Sequence, residues 1–129
     1  MRALILSNGE LVEKEIENTL EELQNLVEGH IELPYLSERF RRNGINIVVN
    51  ADGRFINRLR PEIAIVGVGN LVVDFVYGTC IFVSHNQYGE TIELNKKQKK
   101  IVMEELNDRA MLYDPNRMEK YLVKILNIY

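Results

Sequence analysis

Two histidines, His30 and His85, and a single cysteine, Cys80, are all the imidazole and thiol chemistry that this 129-residue chain carries. Neither histidine has a second His or Cys nearby at the spacing a tetrahedral zinc site uses, so the pattern does not describe a metal centre. The tripeptides His30-Ile31-Glu32 and His85-Asn86-Gln87 also lack the hydroxyl residue that two-histidine phosphoesterases place two positions after each histidine. Ser84 stands beside His85, but adjacent residues on a strand point to opposite faces and do not meet as nucleophile and base. Gly67-Val68-Gly69 starts like a dinucleotide fingerprint, yet the third glycine is missing and an apolar, strand-like run follows instead of a helix start. These residues predict a binding protein and not an enzyme, with no cofactor.

The groups suited to binding are of another kind. A guanidinium grips phosphate through two parallel hydrogen bonds, and Arg54, Arg58, Arg60, Arg109 and Arg117 all fall near expected element ends. Arg109 follows an expected helix, with Asp108 and Asp114 close in sequence as acceptors for ribose hydroxyls; a cation placed favourably at a helix C-terminus is the competing explanation. Along residues 77–84, strand alternation sets Ile81 and Val83 on one face and Cys80, Phe82 and Ser84 on the other. Phe82 would reach a site if that sheet were covered on one face alone, and would be core if it were covered on both.

The elements that must position these residues can be read from periodicity and turn chemistry. Residues 3–6 are an apolar run closed by Ser7-Asn8-Gly9, the form of a strand followed by a turn. Asn18 with Glu21 resembles a capping box, and Leu20, Leu23, Leu26 and Val27 give a helical stripe that stops at Gly29. Strands are expected at residues 31–33 and 45–49, the latter closed by the turn Asn50-Ala51-Asp52-Gly53, with Arg39, Arg41 and Arg42 in a loop between them. Residues 63–83 read as two or three central strands punctuated by Gly67, Gly69 and Gly78. Asn95 with Gln98 caps a second helix carrying Ile101, Val102 and Leu106, and Asp114-Pro115 is expected to open a third bearing Met118, Leu122 and Ile125. The sum is an α+β fold, a mostly antiparallel β-sheet flanked by about three helices, two of them C-terminal.

At this length one domain spanning residues 1–129 is expected, with little room for a deep internal cavity, so a sizeable ligand belongs in a surface cleft or between subunits. A net charge of −3 has the wrong sign for a general nucleic-acid binder. A lone cysteine in an apolar run and the absence of any apolar stretch of about 20 residues predict a cytoplasmic protein without membrane or long nucleic-acid partners.

Taken in order, Asn18-Thr19-Leu20-Glu21-Glu22-Leu23-Gln24-Asn25-Leu26-Val27 with Gly29 and Ile31, then Asn50-Ala51-Asp52-Gly53, Asn57-Arg58, Tyr77-Gly78-Thr79 and Leu94-Asn95-Lys96-Lys97-Gln98 give the chain its landmarks. In this order and spacing they resemble a phage and prophage family long filed as a domain of unknown function, of which the Thoeris anti-defence sponge proteins are characterised relatives. Phe82 and Arg109 fit the sponge branch. Glu28 stands where the wider family often has glycine, and the segment after Asp114 extends beyond the usual compact ending.

The resemblance implies sequestration, in an infected bacterial host, of the cyclic ADP-ribose isomers that TIR-domain proteins make from NAD. It also implies, for some members, cyclic dinucleotides or trinucleotides at a separate site. On this reading Phe82 stacks on adenine, Arg109 and then Arg58 hold the pyrophosphate, and Asn57, Asn95 and Asp114 meet ribose hydroxyls. Tight enclosure by so small a domain is most easily reached by pairing copies, so a homodimer or higher homo-oligomer is expected. The alternatives are a protein-binding inhibitor of a host defence enzyme and a hydrolase of the signal.

Overall fold

The computed structural model describes residues 1–106, 109–114 and 120–129. In chain order its strands are β1 (Arg2–Ser7), β2 (Glu10–Glu15), β3 (Ile31–Glu32), β4 (Asn46–Asn50), β5 (Pro61–Val66), β6 (Val72–Tyr77), β7 (Cys80–His85), β8 (Thr91–Ile92), β9 (Ala110–Tyr113) and β10 (Tyr121–Asn127). The α-helices are α1 (Leu20–Val27), α2 (Glu38–Arg42) and α3 (Lys96–Leu106). One sheet runs in the order β2-β1-β7-β4-β3 with β8 added to β7, and the other runs β6-β5-β10-β9. All pairs are antiparallel except β5 with β10. The fold is therefore α+β with mostly antiparallel sheets, as the sequence predicts, but the described residues form two sheets and not one.

Local chemistry explains most of the boundaries. Asn8 (φ 53°) and Gly9 (φ 80°) take the left-handed conformations of a tight hairpin turn between β1 and β2. In α3, the Asn95 main-chain N–H donates to Gln98 Oε1 and the Gln98 N–H donates to Asn95 Oδ1, both at 2.8 Å, which is the reciprocal capping box expected. The cap of α1 sits one residue later than expected. Thr19 Oγ1 accepts from the Glu22 N–H at 3.1 Å, and the chain leaves the helix through Glu28 in a left-handed conformation.

Two expectations are corrected. Residues 38–42 are a helix and not a loop, because Ser37 caps the turn through the Phe40 N–H and Phe40 anchors it in the core. Leu122 and Ile125, expected on a third helix, lie instead on β10, where parallel pairing with β5 and antiparallel pairing with β9 override the helical spacing, so among the described residues the C-terminal segment carries only the helix α3. Met118, Pro115 and Arg117 lie outside the described residues.

Packing decides the status of Phe82. Leu4, Leu6, Ile47, Val49, Cys80 and Phe82 face Ile63, Ile65, Val76 and Leu126 of the second sheet, with Phe40 of α2 and Ile101, Val102 and Leu106 of α3 closing the layer. The opposite face of the first sheet, Ala3, Ile5, Val48, Ile81 and Val83, is covered by Leu23 and Val27 of α1. The central sheet is thus covered on both sides. Phe82 is 0% exposed and meets Phe40 edge to face, with ring centroids 6.2 Å apart.

Glu62 links the two sheets. Buried on β5, its carboxylate accepts the main-chain N–H groups of Asn8 at 2.7 Å and Gly9 at 2.9 Å, so it ties the β1–β2 turn to the second sheet. Arg60 Nε lies 3.6 Å from the same carboxylate, while Nη2 donates to the Leu122 carbonyl at 2.6 Å and the guanidinium rests 5.0 Å over the Tyr121 ring. Burial pushes the Glu62 carboxyl above its ordinary range, against the opposing pull of the two N–H donors and Arg60.

Candidate functional site

A cleft of about 390 Å³ opens where the β3–β4 edge of the first sheet faces strand β6 of the second. Its walls bring Tyr35, Phe75 and Tyr77 together with Arg54, Asp74 and Glu32. This volume falls within the range of small-molecule sites, about 300–1,000 Å³.

The turn after β4 forms the floor. Buried Asn50 uses its amide twice: Nδ2 donates to the Val27 carbonyl at 3.0 Å and the Glu28 carbonyl at 3.2 Å, and Oδ1 accepts the Asp52 N–H at 2.8 Å. One side chain thereby caps the end of α1 and shapes the turn, which explains an asparagine at the head of Asn50-Ala51-Asp52-Gly53. Gly53 is required by space, since a Cβ there would stand 2.7 Å from the Tyr77 carbonyl oxygen. This close approach brings the short helical turn Gly53–Phe55 against β6 and puts Arg54 at the cleft.

Charge is balanced across the opening. Arg54 Nη2 lies 3.2 Å from Asp74 Oδ2, and Asp74 Oδ1 accepts the Phe75 N–H at 2.8 Å. The last bond occupies a donor on the outer edge of β6 that would otherwise invite another strand. Both members of the Arg54–Asp74 pair are at least half exposed, so they can exchange partners at little cost. Phe75 packs between Tyr113, stacked at 4.1 Å, and Tyr77, tilted at 6.4 Å. Burial, and then the neighbouring Tyr113, push the Tyr77 phenol upward, so it stays protonated and is a hydrogen-bond donor at neutral pH. On the opposite wall the Tyr35 hydroxyl donates to Glu38, which is also held by Arg41 at 2.6 Å.

Such an arrangement offers aromatic residues in Tyr35 and Tyr77, a guanidinium for an anion and carboxylates for hydroxyl groups, while the Phe75 ring is already stacked on Tyr113. A second hollow of about 170 Å³ shares Arg54 and Tyr77 with the cleft and adds Asn57 and Tyr121.

The residues singled out from sequence are dispersed. Asn57 is exposed and lines that second hollow, and Arg58 stands 3.6 Å from Glu28 on the surface. Asn95 serves as the cap of α3, Asp114 follows β9, and Phe82 is in the core. Arg109 borders a separate hollow of about 480 Å³ with Val66, Val72, Met111 and Ile125, and donates to Glu105 at 2.9 Å. With the Asn127 amide oxygen turned toward it, Arg109 also donates there at 3.1 Å. Arg109 and Phe82 therefore do not share a site, and Phe82 has no face open to a ligand. The sequence marks Arg54 as one of five arginines suited to an anion, but it assigns no site role to the 50–53 turn, Tyr35, Asp74, Phe75 or Tyr77, which the fold assembles from separate segments.

Among the described residues no group of three or more His, Cys, Asp or Glu side chains is placed to hold a metal ion, and no helix is long and apolar enough to cross a membrane. The family model described as a domain of unknown function, DUF3846, matches residues 1–107, which include every residue lining the cleft. No curated protein and no solved structure matches the chain.

Proposed function

The chain belongs to the DUF3846 family, and from that premise we propose that it is a ligand-binding protein that sequesters a nucleotide-class small molecule without cleaving it. The observation that carries this reading is the convergence of Tyr35, Phe75 and Tyr77 with Arg54, Asp74 and Glu32 in one open cleft. A nucleobase needs a flat apolar partner, a pyrophosphate needs a guanidinium, and ribose hydroxyls need short acceptors. The resemblance described above suggests cyclic ADP-ribose isomers as the ligand, and with them an anti-defence role as a sponge in an infected bacterial cell. Cyclic dinucleotides or trinucleotides would then occupy a separate site.

Compared with the expectation from sequence, this reading moves the site. The stacking residues are Tyr77 and Tyr35 in place of Phe82, and Arg54 takes the anion in place of Arg109. To compete with a dedicated effector the sponge must bind in the nanomolar range, about −12 kcal/mol. The cleft is open on one side, and a second copy of the chain completing its wall would supply the enclosure that such affinity needs.

A second reading, protein-binding inhibitor, draws support from Val68, Leu71 and Val73, exposed at 81%, 68% and 54% along the β5–β6 hairpin and the β6 edge. Incubation with cyclic ADP-ribose isomers separates the readings. The sponge depletes the free ligand and returns it intact on heat denaturation. A hydrolase returns cleaved product, and the protein-binding inhibitor never depletes the ligand.

A further inference from the structure

Residues 33–36 run between two firmly held anchors and are themselves held by almost nothing. Upstream, β3 is bonded to β4, and the Ala51 N–H donates to the His30 carbonyl at 2.8 Å. Downstream, Ser37 caps α2, and the Glu38 N–H donates to the Ile128 carbonyl at 2.8 Å. Between them Pro34 has no N–H to give, and no main-chain group of residues 33–36 is hydrogen-bonded to a described residue. Leu33 and Tyr35 are 49% and 61% exposed, and Leu36 alone packs against the core.

This segment separates two hollows. The cleft of about 390 Å³ lies on one side of it and a smaller hollow of about 140 Å³ on the other, and Pro34, Tyr35 and Leu36 line both. The smaller hollow reaches Phe40, Arg41 and Ile47. A single polar latch closes the segment down: the Tyr35 hydroxyl donates to Glu38, and Arg41 donates to the same carboxylate from Nε at 3.1 Å and Nη2 at 2.6 Å.

We infer that residues 33–36 form a strap that gates the candidate site, shut by the Tyr35–Glu38–Arg41 latch and opening about the 32/33 and 36/37 junctions to join the two hollows into one groove. Short segments with few buried contacts and unbonded main chain belong to the least stable part of a fold, and closure over ligands is drawn from such parts. With the strap open, the ligand has the joined groove to enter; with it shut, Tyr35 stands as one wall of the cleft. As a gate for a ligand this rests on the binding reading given above, but the motion itself does not.

The test therefore has two arms. Relaxation-dispersion NMR on the protein without ligand reads microsecond-to-millisecond exchange directly. Exchange at the amides of Leu33, Tyr35 and Leu36, with an altered open population in Tyr35→Phe and Glu38→Gln, is the expected result. Flat profiles in the native chain, or populations unchanged by both variants, overturn the strap. In the second arm, stopped-flow binding of cyclic ADP-ribose, Glu38→Gln, which does not line the cleft, is expected to raise the association and dissociation rates by about threefold or more while Kd moves less. Unchanged rates on a probe that binds overturn the gating role. A probe that fails to bind the native chain removes the binding reading, and with it the gate, and leaves the motion to be decided by dispersion.

Discussion

Phe75 on β6 and Tyr113 on β9 stack with ring centroids 4.1 Å apart and planes inclined by 24°, although strands β5 and β10 lie between them. Ala64, directly opposite Phe75 on β5, is small enough to let a ring lie over it. The pair fastens the edge strand that carries Asp74 and Tyr77 to the far side of its sheet. A double-mutant cycle with Phe75→Leu and Tyr113→Leu, read by denaturant unfolding, is expected to give a coupling of about 1 kcal/mol, the usual worth of an aromatic pair beyond its buried area.

Phe82 supports the fold from the centre of the first sheet. Phe82→Ala is expected to cost about 3–5 kcal/mol, since the cavity opens between two sheets that are each held by other strands and cannot collapse freely. Thermal unfolding checks this: a transition within a few degrees of the native one would show that the side chain is not core.

Glu62 gives the pH dependence a definite sign. Its raised pKa means that the folded chain keeps this proton at a pH where the unfolded chain has released it. Its contribution to stability therefore falls as pH rises from the ordinary carboxylate value of 4.5 through the folded value. In Glu62→Gln that titration is gone, so the stability of the variant relative to the native chain is expected to improve across this window. Chemical denaturation at a series of pH values reads the difference, and a relative loss with rising pH would contradict the assignment.

Glu38 behaves oppositely. Hydrogen bonding from Arg41, and then from Tyr35, lowers its carboxyl to about 2. The latch it forms is thus present above the ordinary carboxylate range and is lost as pH falls toward that value. An NMR titration of the Glu38 carboxyl should follow this, and in Arg41→Ala the midpoint is expected to return toward the ordinary range.

What could be read from the sequence was whatever is decided locally. The Asn95–Gln98 box, the turn at Asn8-Gly9 and the alternation along β7 follow from a few neighbouring residues and appear in the structure as expected. The spacing of Leu122 and Ile125 suits a helix as well as a strand, and only the pairing of β10 with β5 settles it. Helix α2 leaves little apolar pattern in the sequence, since three of its five residues are arginines and its single buried side chain is Phe40. The candidate site is the least legible: Tyr35, Arg54 and the β6 residues Asp74 and Tyr77 come from three separate stretches of chain, and no local pattern records that a β4 turn and a β6 edge will meet. Phe82 shows the same limit, because alternation fixes its face but not whether that face is covered.

In the proposed function, Tyr77 and Arg54 hold a nucleotide-class ligand in the cleft. Isothermal titration of the native chain, Tyr77→Ala and Arg54→Ala with cyclic ADP-ribose isomers tests it most directly, with thermal unfolding run alongside. The expected result is nanomolar binding by the native chain and a loss of about 100-fold or more, roughly 2–4 kcal/mol, in each variant that remains folded. Binding that survives both substitutions, or no binding of any isomer by the native chain, would contradict it.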